Sequence, residues 1–550
     1  MRQTNYHLFD FMDFDPTLQR DEALWKAYAP TKIEERDGDI HITIPYQQQK
    51  HQEDMAPDET VPQREYTLIV RAYEPGILRL FTTMEETPSD TGGSVCPPPD
   101  SSLILQLSPE VKRLPLSLRR SSVCCDLIAT NGTNGTNGTD GTTNGTDGTN
   151  GTTIATIDLS EPPLDPWSDL LPPPQPAPRI TFYPDGDPSK PIALNDDHFS
   201  PPRYDALPLG FCSVCCDSVA TTATNRTNAT TATDRTERAT ISFRCQPDEC
   251  FVGTGERFRK MDLSGQTFFL KNQDGQGVNN RRCYKNIPFY LSSRMYGAFF
   301  HTSDYCKLSL ADQSTRSVQF LNASATLDVF LIGGDSPETI LHRYRMLTGF
   351  PQMPPLWSFG IWMSRMTYFS AEEVEDICRR LRREDYPCDV IHLDTGWFRT
   401  DWLCEWKFNP ERFPDPEGFI RRLAEKGFKV SLWQLPYVAQ GAEQLEEAKR
   451  NGYISLPPGP PRDGGGSIYI QTPNTNGEQV ENLTTPPSTT RGDGGEASNF
   501  STLDYAGTID FTNPAATAWY KEKLLKPLLD MGVKCIKTDF GENIHMNHVY

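Results

Sequence analysis

Residues 390–394 have the sequence VIHLD, and residues 535–539 have the sequence CIKTD. Each is a short, mainly apolar run that ends in an aspartate, a pattern typical of a strand buried in a parallel sheet. Two similar runs lie at 358–362 and 430–434. Together the four runs predict four strands of one sheet.

The segments between these runs predict helices. Ser370, with Glu373 three residues later, predicts a capping box, and Asp415 before a proline predicts a second helix start. Asn513 and the proline after it predict a longer helix with a kink at Pro527. Four strand–helix units in about 200 residues match half of an eight-stranded (β/α)8 TIM barrel.

The region before the barrel predicts a different architecture. Ile40, Ile42 and Ile44 alternate with polar residues, and further short alternating runs continue to about residue 332, separated by glycine and proline turns. This pattern favours a β-sandwich. The fold class predicted for the chain is therefore multidomain α+β, with an N-terminal β-sandwich followed by the first half of a TIM barrel.

The predicted domain boundaries follow from these patterns. Residues 1–335 form the sandwich domain, and residues 336–550 form the partial barrel. Low-complexity stretches rich in Asn, Gly, Thr or Pro at about 121–160, 212–240 and 457–503 predict insertions outside the folded core.

Composition limits the classes of partner. The net charge of −20 over 550 residues argues against nucleic acid or an anionic membrane as a partner, while a neutral oligosaccharide is compatible with it. The first residues show no basic, apolar leader, which favours a cytoplasmic location. His545 and His548 lack a third ligand, so no metal is expected, and no cofactor is expected either. An oligomer is compatible with the sequence.

Two carboxylates occupy the position where barrel enzymes build their sites. Asp394 and Asp539 each end a predicted strand, and barrel active sites form at these carboxyl ends. Tryptophans near the same rim offer faces on which sugar rings stack; they are Trp397, Trp402, Trp406 and Trp433. The alternatives are a helix N-cap for each aspartate and core packing for each tryptophan.

The residues around Asp539 resemble a known family. Residues 537–542, KTDFGE, are similar to the nucleophile motif in the α-xylosidase branch of glycoside hydrolase family 31. Five other segments match that family in order: GTGERF (253–258), YKNIPFY (284–290), WSFG (357–360), FPDP (413–416) and DFTNP (510–514). The resemblance covers roughly 25–90 and 240–550 without the insertions.

The resemblance implies a retaining mechanism with two carboxylates. Asp539 would be the nucleophile and form a covalent glycosyl-enzyme. Asp394 matches the aspartate that binds hydroxyls of the reacting sugar, and Trp433 matches a tryptophan that lines its subsite. Lys537 would lie near the substrate and help to keep Asp539 ionised.

Three further substrate-binding residues follow from the same resemblance. Asp274 matches an aspartate that reaches the site from the N-terminal domain, and Trp402 and Met366 match positions near the sugar. After Asp394 stand Thr395 and Gly396, where related bacterial α-xylosidases carry Cys and Phe. This departure keeps an α-glucosidase as the alternative to an α-xylosidase that acts on xyloglucan-type oligosaccharides.

The resemblance also implies a general acid/base that this sequence does not include. The family places that aspartate well downstream of the nucleophile, and the sequence ends at Tyr550. The expectation is a C-terminally truncated fragment without the acid/base and inactive by itself. An inactive truncated homologue is the alternative from another functional class.

Overall fold

A computed structural model of the protein describes fifteen stretches of the chain: 22–48, 63–83, 100, 105–120, 124–129, 152–158, 179–187, 189, 192–194, 210–215, 235–272, 282–313, 315–365, 367–455 and 505–541. The chain divides into two compact units, Met1–Pro351 and Gln352–Tyr550. Within the described stretches, no helix combines the length and the apolar character needed to cross a membrane.

The first unit is built from antiparallel strands that belong to one continuous sheet. They are β1 (Glu22–Ala27), β2 (Lys32–Arg36), β3 (Asp39–Gln48), β4 (Gln63–Glu74), β5 (Ile77–Thr83), β6 (Lys112–Leu114), β7 (Leu116–Arg120), β8 (Cys124–Ala129), β9 (Thr152–Asp158), β10 (Arg179–Phe182), β11 (Ile192–Leu194), β12 (Gly210–Cys215), β13 (Arg235–Arg244), β14 (Phe251–Gly255), β15 (Gln266–Leu270), β16 (Asn286–Ser292), β17 (Tyr296–Phe300), β18 (Cys306–Leu310), β19 (Ser317–Asn322) and β20 (Thr326–Gly333). One helix follows them, α1 (Pro337–Thr348).

The sheet closes over one large apolar core. One run of paired strands is β14-β16-β17-β20-β5-β4-β3, and another is β1-β12-β13-β19-β18-β15, with β1 also paired to β3. Phe300 of the first run stacks on Phe320 of the second, with ring centroids 3.8 Å apart. Alternate side chains such as Ile40, Ile42 and Ile44 are fully buried in the same core. Face-to-face packing of two strand runs confirms the predicted sheet-rich N-terminal part.

The structure differs from the prediction that the first two low-complexity stretches lie wholly outside the fold. Strands β8 and β9 come from within the first stretch, and β12 overlaps the start of the second. Leu127, Ala155 and Ile157 are fully buried. The apolar residues on both sides of the Asn-Gly-Thr run are buried in strands of the sheet. The predicted insertions therefore apply only to the parts of these stretches that the structure does not describe. The third predicted insertion, at about 457–503, lies outside the described residues.

The boundary between the units also lies later than the predicted 335/336. Helix α1 packs on β17 and β20, because Ile340 and Leu347 are buried against Phe299 and Phe330. A helix that buries its apolar side on a sheet belongs with that sheet. The first unit therefore extends to Pro351.

The second unit contains seven strands and five α-helical segments among its described residues. The strands are β21 (Trp362–Arg365), β22 (Val390–Leu393), β23 (Lys429–Gln434), β24 (Tyr437–Ala439), β25 (Ile454–Ser455), β26 (Tyr505–Ile509) and β27 (Cys535–Thr538). The helices are α2 (Ala371–Arg383), α3 (Pro416–Glu425), α4 (Leu445–Arg450), α5 (Pro514–Trp519) and α6 (Lys526–Asp530), with a π-helical segment Tyr520–Leu525 before α6. Strands β21, β22, β23 and β27 form a parallel sheet in that order.

Local signals explain where two of these helices begin. Ser370 Oγ accepts a hydrogen bond from Glu373 N at 3.1 Å, and Asp415 Oδ1 accepts one from Gly418 N at 3.0 Å, so both side chains are N-caps. Glu373 accepts from Phe369 N at 2.7 Å, one residue before the partner expected of a capping box. Near the kink predicted at Pro527, a π-helical segment, Tyr520–Leu525, ends two residues before the proline.

Two parts of this unit differ from the sequence prediction. The first barrel strand is Trp362–Arg365, because residues 356–359 form a 3-10 turn after Pro355. A small antiparallel sheet, β24-β26-β25, was not predicted. It lies beside the carboxyl end of β23 and affects the site described next.

Candidate active site

Three predicted site residues lie in one row across the parallel sheet. The register pairs Trp433 of β23 with Lys537 of β27. Leu393 of β22 pairs with Leu432 of β23, so the next residue, Asp394, lies beside Trp433. Side chains alternate along a strand, so these three share the face opposite the helices. The intervening apolar residues, including Leu393 and Leu432, pack in the core with the helices.

Asp539 lies just beyond this row and is held by three donors. Its Oδ2 accepts from Trp433 Nε1 at 2.8 Å and lies 3.0 Å from Lys537 Nζ. Its Oδ1 accepts from Phe540 N at 3.0 Å, and its own backbone N–H donates to Gln434 O at 2.8 Å. The carboxylate is fixed in orientation while 35% of the side chain stays exposed.

These contacts hold the pKa of Asp539 below the ordinary value of an aspartate. Burial alone raises that pKa, but the hydrogen bonds from Trp433 and Lys537, together with the positive charge of Lys537, outweigh burial. Asp539 is therefore an ionised carboxylate at neutral pH. An ionised carboxylate suits a nucleophile and cannot donate a proton.

Asp394 has two roles in the structure, one for each oxygen. Its Oδ1 accepts from Thr395 N at 2.9 Å and caps the 3-10 turn 395–397, as the N-cap alternative predicted. Its Oδ2 lies 3.2 Å from His392 Nε2 and 3.7 Å from Lys537 Nζ. Lys537 thus lies between the two carboxylates, and its side chain is 46% exposed.

The turn after Asp539 is held by a residue that the sequence did not single out. Phe540 has a φ of 58° and Gly541 a φ of 102°, both in the left-handed region. Tyr437 Oη of β24 accepts from Gly541 N at 3.1 Å. The unpredicted antiparallel sheet therefore supports the backbone next to the predicted nucleophile.

The four tryptophans separate into different roles. Trp397 and Trp406 are buried, and their indole N–H groups donate to Trp433 O and Gln434 Oε1, so core packing describes both. Trp433 is only 1% exposed and reaches Asp539 through its N–H rather than through an open ring face. Trp402 is partly exposed and packs edge-on against Trp433, with centroids 5.7 Å apart.

The positions after Asp394 are enclosed by protein. Thr395 is fully buried, with its Oγ1 3.4 Å from Thr367 Oγ1. A Cβ on Gly396 would lie 2.2 Å from Thr367 Cγ2. A larger residue at 396 would displace Thr367. The difference from the Cys and Phe of related bacterial α-xylosidases therefore depends on Thr367 as well as on residues 395 and 396.

Some predicted residues fall outside the described part of the chain. Asp274 and Met366 belong to this group, and so do His545 and His548. Among the residues that are described, no group of three or more His, Cys, Asp or Glu side chains is arranged to hold a metal ion.

Sequence reasoning missed His392 and Ser431, which lie below the row of site residues. A signal for His392 was present, because it is the one polar residue in the buried run VIHL and a buried polar group needs partners. Tyr437 had no comparable signal, because its sheet depends on pairing with residues 505–509, far along the chain.

Two family models match the chain. Residues 179–308 match the glycosyl hydrolase 31 N-terminal galactose mutarotase-like domain, and residues 351–549 match the glycosyl hydrolases family 31 TIM-barrel domain. Together they cover more than half of the sequence. The chain belongs to glycosyl hydrolase family 31. This result confirms both the predicted family and the predicted barrel.

Two relatives indicate which branch of family 31 the chain resembles. The chain is 38% identical over 299 residues to α-xylosidase XylQ of Lactiplantibacillus pentosus, covering 54% of this chain and 34% of that protein. It is 33% identical over 303 residues to an α-xylosidase of Emericella nidulans, covering 55% of this chain and 34% of that protein. These matches support the predicted α-xylosidase branch. The chain spans about a third of the length of these two relatives.

Solved structures share the fold. A family 31 dextranase from Flavobacterium johnsoniae, complexed with glucose, aligns with a TM-score of 0.60 at 17% identity, over 94% of this chain and 48% of that one. A family 31 α-xylosidase from a soil metagenome, complexed with xylose, aligns with a TM-score of 0.57 at 16% identity, over 88% of this chain and 56% of that one. At these identities the likeness concerns the fold alone.

Proposed function

We propose that the protein is a retaining exo-α-glycosidase that removes α-linked xylose from xyloglucan-type oligosaccharides, with Asp539 as the nucleophile. The observation that carries the proposal is the placement of Asp539. It ends a parallel barrel strand, its pKa is lowered, and Lys537 and Trp433 fix its orientation.

The two oxygens of Asp539 differ in their surroundings. Oδ2 carries the contacts with Trp433 and Lys537, whereas Oδ1 accepts one backbone hydrogen bond, from Phe540. Oδ1 therefore keeps more lone-pair capacity, and it is the oxygen we assign to attack on the anomeric carbon. A bond from carboxylate oxygen to that carbon forms as the bond to the leaving oxygen breaks, and water later hydrolyses the ester.

The charge of the site suits this reaction. Asp394 and Asp539 lie on either side of Lys537, so the three side chains carry a net charge of about −1 when both carboxylates are ionised. The transition state of glycoside cleavage resembles an oxocarbenium ion and is positive. A negative excess at the strand ends would stabilise it, and Lys537 would keep the two carboxylates from repelling each other.

The remaining roles are assigned by position. Asp394 would bind sugar hydroxyls next to Lys537, and the partly exposed Trp402 would contact the sugar beside Trp433. Asp274 and Met366 are proposed as further contacts from the family resemblance. The proton donor to the leaving oxygen is not assigned to a residue of this chain.

A second candidate is an α-glucosidase. The chain is 28% identical over 212 residues to α-glucosidase 2 of Bacillus thermoamyloliquefaciens, covering 37% of this chain and 27% of that protein. A glucoside differs from a xyloside by one CH₂OH group. A pocket that merely excludes such a group discriminates by about 1–3 kcal/mol.

Paired assays test the proposal. A version of the protein that carries the expected acid/base is given p-nitrophenyl α-xyloside and p-nitrophenyl α-glucoside, and kcat/KM is measured for each. The proposal expects the xyloside to be faster by about 10- to 200-fold. A faster glucoside would favour the second candidate, and no turnover of either substrate would favour an inactive homologue.

A further inference from the structure

A polar pair lies one row below the site residues on the same face of the sheet. The register pairs His392 of β22 directly with Ser431 of β23. His392 is 5% exposed, and Ser431 is fully buried. The interior rows of closed barrels are usually filled by Val, Ile and Leu, so a buried His–Ser pair at this level needs a reason.

The hydrogen bonds of this pair lead to Asp394. His392 Nδ1 lies 3.0 Å from Ser431 Oγ, and His392 Nε2 lies 3.2 Å from Asp394 Oδ2. An ionised carboxylate only accepts hydrogen bonds, so Nε2 must carry the proton in this contact. With a single ring proton at Nε2, Nδ1 is an acceptor, and the Ser431 hydroxyl donates to it. In a neutral ring, donation therefore runs from Ser431 to His392 and from His392 to Asp394.

This chain of hydrogen bonds fixes the plane of the Asp394 carboxylate. Thr395 N holds Oδ1, and His392 holds Oδ2 on the side that faces Lys537. Neither Ser431 nor His392 is open to a ligand at the site, because both are buried. Any effect of the pair on a substrate must therefore pass through Asp394.

We infer that Ser431 and His392 are positioning residues that orient Asp394 for the sugar. The inference rests on the proposed function for the sugar-binding role of Asp394, but the contacts of His392 with Ser431 and Asp394 stand on geometry. A positioning role differs from a merely structural role, in which His392 would fill space and affect only the stability of the fold.

The first test measures the protonated nitrogen of His392 and needs no catalysis. The protein contains nine histidines; with ¹⁵N-labelled histidine, the signal missing in His392→Gln identifies His392 in a long-range ¹⁵N–¹H spectrum. The expected signal is that of a neutral ring with the proton on Nε2, shifted by Ser431→Ala. A ring with its proton on Nδ1 would overturn the inference, because Nε2 would then have no proton for Asp394.

The second test is a double-mutant cycle on kcat/KM for the xyloside. His392→Leu removes the donor and should lower kcat/KM by about 10- to 100-fold, as expected for a misplaced binding group. His392→Gln keeps an N–H near the position of Nε2 and should recover most of the loss. In an Asp394→Asn background, His392→Leu should cost less than about 3-fold, because its effect passes through the carboxylate.

A control separates positioning from loss of stability. Ser370→Ala removes the N-cap of α2, which lies outside the site, and should lower stability without changing kcat/KM. An equal loss from His392→Leu with and without Asp394→Asn would overturn the inference. If the wild type turns over no glycoside, the proposed function fails, and the tautomer measurement still decides whether the hydrogen-bond chain exists.

Discussion

In the N-terminal unit, Arg79 and Asp328 are both buried and face each other through two hydrogen bonds of 2.7 Å. In the barrel unit, Lys537 is half-exposed and lies between Asp394 and Asp539. In the first arrangement each buried charge has an opposite partner, and no excess charge is left to bind a ligand. The second leaves a negative excess at the strand ends, which is what a cationic transition state requires. Charge balance thus separates a structural network from a candidate site.

The largest effect should come from the unbalanced site. Asp539→Asn keeps the shape of the side chain but removes the nucleophilic charge, so kcat should fall by several orders of magnitude, on the order of 10⁴-fold or more, with the fold intact. Steady-state kinetics and circular dichroism measure the two effects. Asp415→Asn is the matched control, because Asn also caps a helix, and it should leave kcat unchanged. Comparable turnover in Asp539→Asn and the wild type would contradict the assignment.

The next effect concerns the balanced network. Asp328→Ala removes the bidentate partner of buried Arg79 and should destabilise the N-terminal unit by about 3–5 kcal/mol. Native-state hydrogen exchange of strands β5 and β20 measures this loss. The matched control is Asp530→Ala, which breaks an exposed pair with Lys526 and should leave the hydrogen exchange of its own helix, α6, nearly unchanged. Equal losses from the two variants would remove the contrast between buried and exposed pairs.

A smaller effect should appear in the pH dependence of the barrel site. Trp433→Phe removes an N–H that stabilises ionised Asp539, so the pKa of Asp539 should rise toward its ordinary value. A raised pKa moves the acid limb of the pH profile of kcat/KM to higher pH. The hydrogen bond that is lost stabilises the ionised carboxylate by about 1.5–3 kcal/mol. Trp406→Phe removes an indole bond to a neutral amide instead. An acid limb that moves equally in both variants, or only in Trp406→Phe, would argue against the role of Trp433.

The smallest effect belongs to a feature with no part in either charge cluster. Ser370→Ala should lower the stability of the barrel unit by about 1 kcal/mol, because Glu373 N loses its capping partner. Ser370→Asp should retain the cap and most of the stability. Urea unfolding followed by far-ultraviolet circular dichroism compares them, and a larger loss in the Asp variant would show that capping is not the cause.

The presence or absence of a local sequence signal explains which elements of the fold were predicted. Strands β22, β23 and β27 were placed within about one residue, because an apolar run with a capped helix nearby is a local signal. Strands β8 and β9 were missed, because they flank an Asn-Gly-Thr run and their buried residues follow no clear period-2 pattern. The β24–β26 pairing joins residues separated by a low-complexity stretch, so no local sequence pattern predicts it.

The candidate site divides in a similar way. Asp394, Trp433, Lys537 and Asp539 were predicted from motifs, and the register of parallel strands brings them together. Their roles in catalysis remain proposals. His392, which contacts Asp394, and Tyr437, which accepts from Gly541 N near Asp539, depend on contacts across the sheets that a single sequence does not specify.

Covalent trapping tests the central claim most directly. The protein is incubated with a 5-fluoro-α-xylosyl fluoride, whose good leaving group allows the glycosyl-enzyme to form while the ring fluorine slows its hydrolysis, and peptides are mapped by mass spectrometry. Fluoride departs readily and makes little demand on a proton donor. The account predicts one 5-fluoroxylosyl adduct on Asp539, absent in Asp539→Asn. An adduct on Asp394 or another carboxylate, with Asp539 unlabelled, would contradict it.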